Sequence, residues 1–160
     1  MRVILFILSI VLTFSCKPAT PEETFVVQNV LLPLEPPLTP RTMQSRAIRK
    51  LGPPFDEPLA LRSIYLSKAE IGNPDFPDLA FAKEIRLFLV DPEGKMILAA
   101  SSGKIPAKIA SITLIPTGNQ DLAPLFQHKK LDMVLEADNT LTSGQGVMLI
   151  GNFEFSYRVK

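Results

Sequence analysis

One cysteine, one histidine and no tryptophan stand in a chain of 160 residues. With Cys16 and His128 each alone, a Cys-His dyad, a Ser-His-Asp triad and a His-rich zinc site cannot be assembled within one chain. The lack of Trp, with only two Tyr, also leaves little of the exposed aromatic surface that a sugar cleft uses. Charge of one sign is missing too. Seventeen basic residues against sixteen acidic ones give a net charge of +1, with no long basic stripe to neutralise phosphates, so nucleic acid is not an expected partner. Uninterrupted helical stretches are scarce, because fifteen prolines punctuate the chain and proline is excluded from helix interiors and from central strands. Short strands joined by proline-marked turns remain. The length and a hydrophobic content of 46% describe one ordinary domain.

What is present begins with an address. Arg2 and the α-amino group form a small positive start, and Val3 to Phe14 form an almost purely apolar run. That run is shorter than the ~20 apolar residues that span a bilayer, so residues 1–15 read as a cleaved leader. Ser15 directly precedes Cys16, with Thr13 and Leu12 before it. This arrangement resembles the lipobox of bacterial lipoproteins, which implies acylation of Cys16 and a mature chain that starts there. The competing reading is a plain secretory signal with a leftover free thiol, a liability in an oxidising compartment. Acyl chains contribute about 0.8 kcal/mol per buried CH₂, so an acylated cysteine holds a soluble domain on a membrane. Lys17 stands where an inner-membrane retention signal would place Asp, and by resemblance this implies the outer membrane, with the periplasmic or surface face left open.

Residues 16–24 read as the lipidated cysteine and a polar tether, and 25–160 as one domain. "FVVQNVLL" (25–32) is a first strand, ended by the proline-rich "PLEPPLTP". Met43, Ala47, Ile48 and Leu51 share a helical face, which predicts a short helix with Arg46, Arg49 and Lys50 in solvent rather than a lipid-binding basic patch. Residues 59–71 alternate with period two. "KEIRLFLV" and "KMILAAS" flank "DPEG", a hairpin signal. Residues 109–116, 129–138 and 146–159 supply three more strands, and 121–128 one helical turn with Asp121 as its first-turn acid. The expectation is mainly all-β: an antiparallel β-sandwich of about seven strands with one or two short helices.

"AEIGNPDFPDLAFAKEIRLFLVDPEGKMILAAS", then "SITLIP", "LAPLF" and the terminal "GNFEFSYRV", resemble a group of uncharacterised Gram-negative envelope lipoproteins over roughly Leu59 to Lys160. The resemblance implies a β-sandwich and brings no reaction with it.

Candidate chemistry is thin. Asp75 with Asp78, and Asp91 with Glu93, are the carboxylate pairs, and paired acids hydrolyse glycosides only when held about 5–9.5 Å apart in a sugar cleft. "NPDFPD" (73–78) lacks the dense acids of a calcium loop, so its Asp and Asn are read as turn caps, with Phe76 and Phe81 plugging the core. "TSGQG" (142–146) has no following Lys and is read as a hairpin loop. No enzyme activity, cofactor or metal is expected. The sequence reads as a lipid-anchored structural or protein-interaction module of the outer envelope, attached through Cys16, with a small-ligand or glycan-binding surface lipoprotein as the alternative. An open patch bearing Tyr65 or Tyr157 favours ligand binding, and an apolar strip on an edge strand favours partnership by strand addition.

Overall fold

The computed structural model describes residues 21–35, 42–52, 55, 60–74, 78–118, 120–139 and 146–160. Eight strands follow one another: β1 (Glu23–Leu34), β2 (Thr42–Lys50), β3 (Leu61–Gly72), β4 (Ala82–Val90), β5 (Met96–Ser101), β6 (Ser111–Pro116), β7 (Lys130–Asn139) and β8 (Val147–Val159). A single 3-10 turn, Ala123–His128, precedes β7. The strands form one sheet in the order β1-β8-β3-β6-β5-β4-β7-β2, with every pairing antiparallel. The sheet rolls up until β1 and β2 lie beside each other. Its two halves are joined through β5 and β6 by only two rungs, Ala100↔Pro116 and Ser101↔Ile115.

Two expectations are corrected here. The segment expected as a helix at 43–51 is strand β2 as far as Lys50, which raises the expected seven strands to eight, and the β5–β6 rungs join what was expected as two sandwich layers into one rolled sheet. Its apolar residues fit helical spacing, but the free side of β7 offers a nine-rung ladder from Thr42↔Asp138 to Lys50↔Lys130. Tertiary pairing overrides so weak a local preference. Met43 and Ser45 turn inward, whereas Ile48, placed on the apolar face of the expected helix, is exposed. The second correction concerns Asp121, which lies outside the 3-10 turn. Its Oδ1 accepts the amide of Ala123 at 3.0 Å and that of Ile64 at 2.9 Å, so it ties the turn to β3. The first strand also starts at Glu23, inside the stretch read as tether.

The core is the inner surface of the roll. β8 alternates, with Leu149, Phe153, Phe155 and Tyr157 inward and Met148, Glu154 and Arg158 outward. β3 alternates only in two halves. Ile64 and Leu66 are buried, and then Ala69 and Ile71 are, because a register shift between Leu66 and Lys68 against β8 changes the phase. Without that bulge, Lys68 and Glu70 would follow Leu66 into the core. The outer face carries charge and the inner face is apolar, the inverse of a transmembrane barrel.

Three turns are held by aspartates. Asp91 Oδ1 accepts the amides of Glu93 (3.0 Å) and Lys95 (2.8 Å), and Gly94 takes φ +86°, which suits glycine. This is the hairpin expected at "DPEG", joining β4 to β5. Asp78 Oδ1 accepts the amides of Ala80 and Lys108, pinning two loops together. Phe81 is buried, as expected, while Asp75 and Phe76 lie outside the described residues.

Inward-facing Leu87 on inner strand β4 is fully buried, and Glu93 is exposed in the turn. Leu87→Ala is expected to cost about 2–5 kcal/mol in denaturant melts, and Glu93→Ala less than about 0.5 kcal/mol. Equal small effects would remove β4 from the core. Gly151 gives a second check, because a Cβ there would stand 2.4 Å from Cζ of the fully buried Phe153. Gly151→Ala is expected to destabilise by about 1–3 kcal/mol, read from the same melts.

Candidate functional site

The site with the most unusual geometry is the line along which the roll fails to close. β1 and β2 are the two ends of the strand order, and among the described residues no backbone hydrogen bond links them. Seven successive antiparallel pairings make β2 run opposite to β1, so the two face each other as an unzipped pair. Each is an edge whose facing row of main-chain donors and acceptors is unmatched among the described residues. Both carry outward apolar side chains: Ile48 is 62% exposed on β2, and Leu31 is 59% and Val26 51% exposed on β1.

The two edges differ. β1 is interrupted by a bulge between Val27 and Val30, where Asn29 takes φ +53° and its amide donates to Asn152 Oδ1 at 3.0 Å, and Pro33 sits further along. Bulges and proline are devices that blunt an edge. β2 has neither, and its register with β7 is unbroken.

Two clefts open along this seam. At one end, 260 Å³ is lined by Phe25 to Gln28 of β1 and by Arg49, Lys50, Leu51, Gly52 and Phe55. Toward the other, 460 Å³ is lined by Pro33, Glu35, Gln44, Ser45 and Arg46, with Met96 and Val134. The first cleft is floored by an aromatic cluster. Phe25 stacks on Phe155 at 5.1 Å between ring centres and meets Phe55 edge-on at 4.6 Å, while Phe126 meets Phe155 edge-on at 5.3 Å. Offset and edge-to-face pairs of this kind add about 0.5–1.5 kcal/mol each beyond their burial.

Tyr157 completes the cluster and fastens the start of β1. Its hydroxyl donates to Glu23 Oε2, and Arg158 pairs with Glu22 at 3.0 Å. The Glu23 hydrogen bond, with burial and the nearby negative charge, pushes the Tyr157 phenol up to about 12. A buried phenol with its hydroxyl engaged is a strut, not a ligand platform, and Tyr65 is half-buried. Of the basic residues expected in solvent, Arg46 is paired with Asp132 (Nε to Oδ1 3.0 Å), a bond that raises its pKa. Arg49 and Lys50 are exposed without an acidic partner among the described residues.

The other residues singled out do not converge. The Asp78 and Asp91 oxygens are engaged by turn amides, and Glu93 is solvent-exposed. Cys16 and residues 142–145 lie outside the described residues, and His128 closes the 3-10 turn with its side chain undescribed. Among the described residues, no group of three His, Cys, Asp or Glu is placed to hold a metal ion. The seam itself was not expected from the sequence. Its one signal was the alternation Met43, Ser45, Ala47, hidden under a helical spacing.

No family model matches the chain, and no curated protein matches it. Among solved structures it is similar to the crystal structure of the infectious bursal disease virus VP2 subviral particle, at 10% identity and a TM-score of 0.26. That similarity covers 87% of this chain and spans 41% of the other, and no argument rests on it.

The raised phenol links stability to pH. Tyr157 favours the fold fully below its ordinary value near 10, and this contribution is lost as pH rises toward about 12. Melts between pH 10 and 12 are therefore expected to show the native chain losing stability relative to Tyr157→Phe. Parallel loss in both would remove the Glu23–Tyr157 strut.

Proposed function

We propose that the chain is a lipid-anchored, non-enzymatic protein of the outer envelope that acts as an interaction module through the β1/β2 seam. The observation that carries the reading is the pair of facing, unbonded edge strands with exposed Val26, Leu31 and Ile48. Exposed edges invite pairing with another chain, and proteins that do not use them cover them. The leader, Ser15 and Cys16 support the anchoring half of the proposal.

Anchor and seam are physically connected. Six residues lie between Cys16 and Glu23, and the seven steps from one to the other reach at most about 25 Å. The membrane attachment thus pulls on an edge strand, at the end fastened by Glu22–Arg158 and Glu23–Tyr157. A module built this way presents the seam close to the bilayer.

Mass spectrometry of membrane-extracted protein is expected to find an acylated Cys16 as first residue. Cys16→Ala is expected to leave the membrane fraction with its thermal midpoint unchanged within ~2 °C, since surface changes outside special features stay within about 0.5 kcal/mol. An unmodified Cys16, or a cleavage elsewhere, would sink the anchoring reading.

A further inference from the structure

The interaction-module reading leaves open what the seam accepts, and the inference below rests on that reading and deepens it. The inner row of β2 shrinks from Met43 to Ser45 and Ala47, so the strand is thin at its middle. Ser45 is only 4% exposed and its Oγ has no hydrogen-bond partner. A buried hydroxyl left unmatched is unfavourable, and Ser45 borders the 460 Å³ cleft that reaches from Pro33 and Glu35 at the end of β1 across β2 to Val134 and Met96. The edge of β2 beside it offers main-chain groups over nine residues without proline or bulge. At its far end the exposed Arg49 adjoins Lys50, which stands directly opposite Lys130 in the ladder. Like charges on one rung repel, and an arriving carboxylate relieves that repulsion.

We infer that the free edge of β2 receives an extended segment of a partner polypeptide as a ninth strand, antiparallel to β2, with an acidic residue near its N-terminus facing Arg49 and Lys50. Antiparallel addition matches every other pairing in the sheet and brings the segment's first residues to the Lys50 end. Its alternate inward side chains fill the space over Ser45 and Ala47, and its main chain supplies the partner that the Ser45 hydroxyl lacks. A ladder needs about 4.8 Å between neighbours, whereas β1 and β2 have Cα atoms within 8 Å of each other, so seating the strand parts the seam to about 10 Å. The blunted edge of β1 makes β2 the side that pairs.

The test titrates a nine-residue peptide of alternating Val and Thr, led by two Asp, into the full chain in detergent micelles. Anisotropy reads binding and amide hydrogen exchange reads its place. Saturable binding that slows exchange in β2, and that is lost when alternate peptide nitrogens are methylated, is the expected result. Arg49→Glu with Lys50→Glu is expected to weaken the Asp-led peptide about tenfold and to strengthen a Lys-led one similarly, the scale of two exposed ion pairs; both positions are exposed, and a thermal melt checks that the variant folds. Ser45→Ala is expected to weaken the peptide while raising the melting midpoint of the free chain. Three results overturn the inference: no saturable binding up to millimolar peptide, equal binding of the methylated peptide, or protection of β2 by self-association alone. The anchoring reading fails separately, because the titration is made on the same chain whatever the acyl state of Cys16.

Discussion

The structure depends on one requirement: an eight-stranded antiparallel sheet with a continuous apolar face must cover that face. With only a 3-10 turn among its described helical elements, the sheet covers itself by rolling. Inward rows such as Ile85, Leu87 and Leu89 on β4 and Leu149, Phe153 and Phe155 on β8 then supply the cohesion. Burying each such side chain contributes about 1.5–3 kcal/mol. The main-chain closure is much weaker, with two rungs between β5 and β6 and none between β1 and β2. Side-chain packing shapes the roll, and the ladder follows where it can.

That ordering of forces explains the irregularities. Register shifts in β1, β3 and β4 occur at Asn29, Ser67 and Lys83, where strict alternation would carry polar side chains inward. Asp78, Asp91 and Asp121 each accept two amides with one oxygen at a chain reversal. Such bonds position loops at little energetic cost, because the carboxylates stay near water. The open seam runs beside the part of β2 where the inner row is thin, at Ser45 and Ala47.

Much of this was legible in the sequence, and the limits of legibility are physical. The turn residues of "DPEG" marked the two hairpin strands because the turn signal is local, and Phe81 sits in the core as read. β2 was misread because Met43, Ala47 and Leu51 satisfy both periods at once, while Ile48 fits only the helical one. The deciding partner, β7, lies about ninety residues away, as the Gln44–Glu136 and Arg46–Asp132 bonds record. The bulge at Ser67 leaves no compositional trace, and an unbonded seam is a property of two strands' spacing that neither strand's residues announce. Aspartates at turns were legible as caps, whereas the Glu23–Tyr157 strut joins opposite ends of the chain and was not.

Among the described residues β2 is hydrogen-bonded on one side only. Residue-resolved amide exchange on the purified chain tests it most directly. An alternating pattern is expected along Thr42–Lys50, with amides bonded to β7 exchanging slowly and those facing β1 exchanging quickly, beside uniformly slow exchange through the middle of β8. Slow exchange at every residue of β2 would contradict it, since it would mean that a ladder closes the seam.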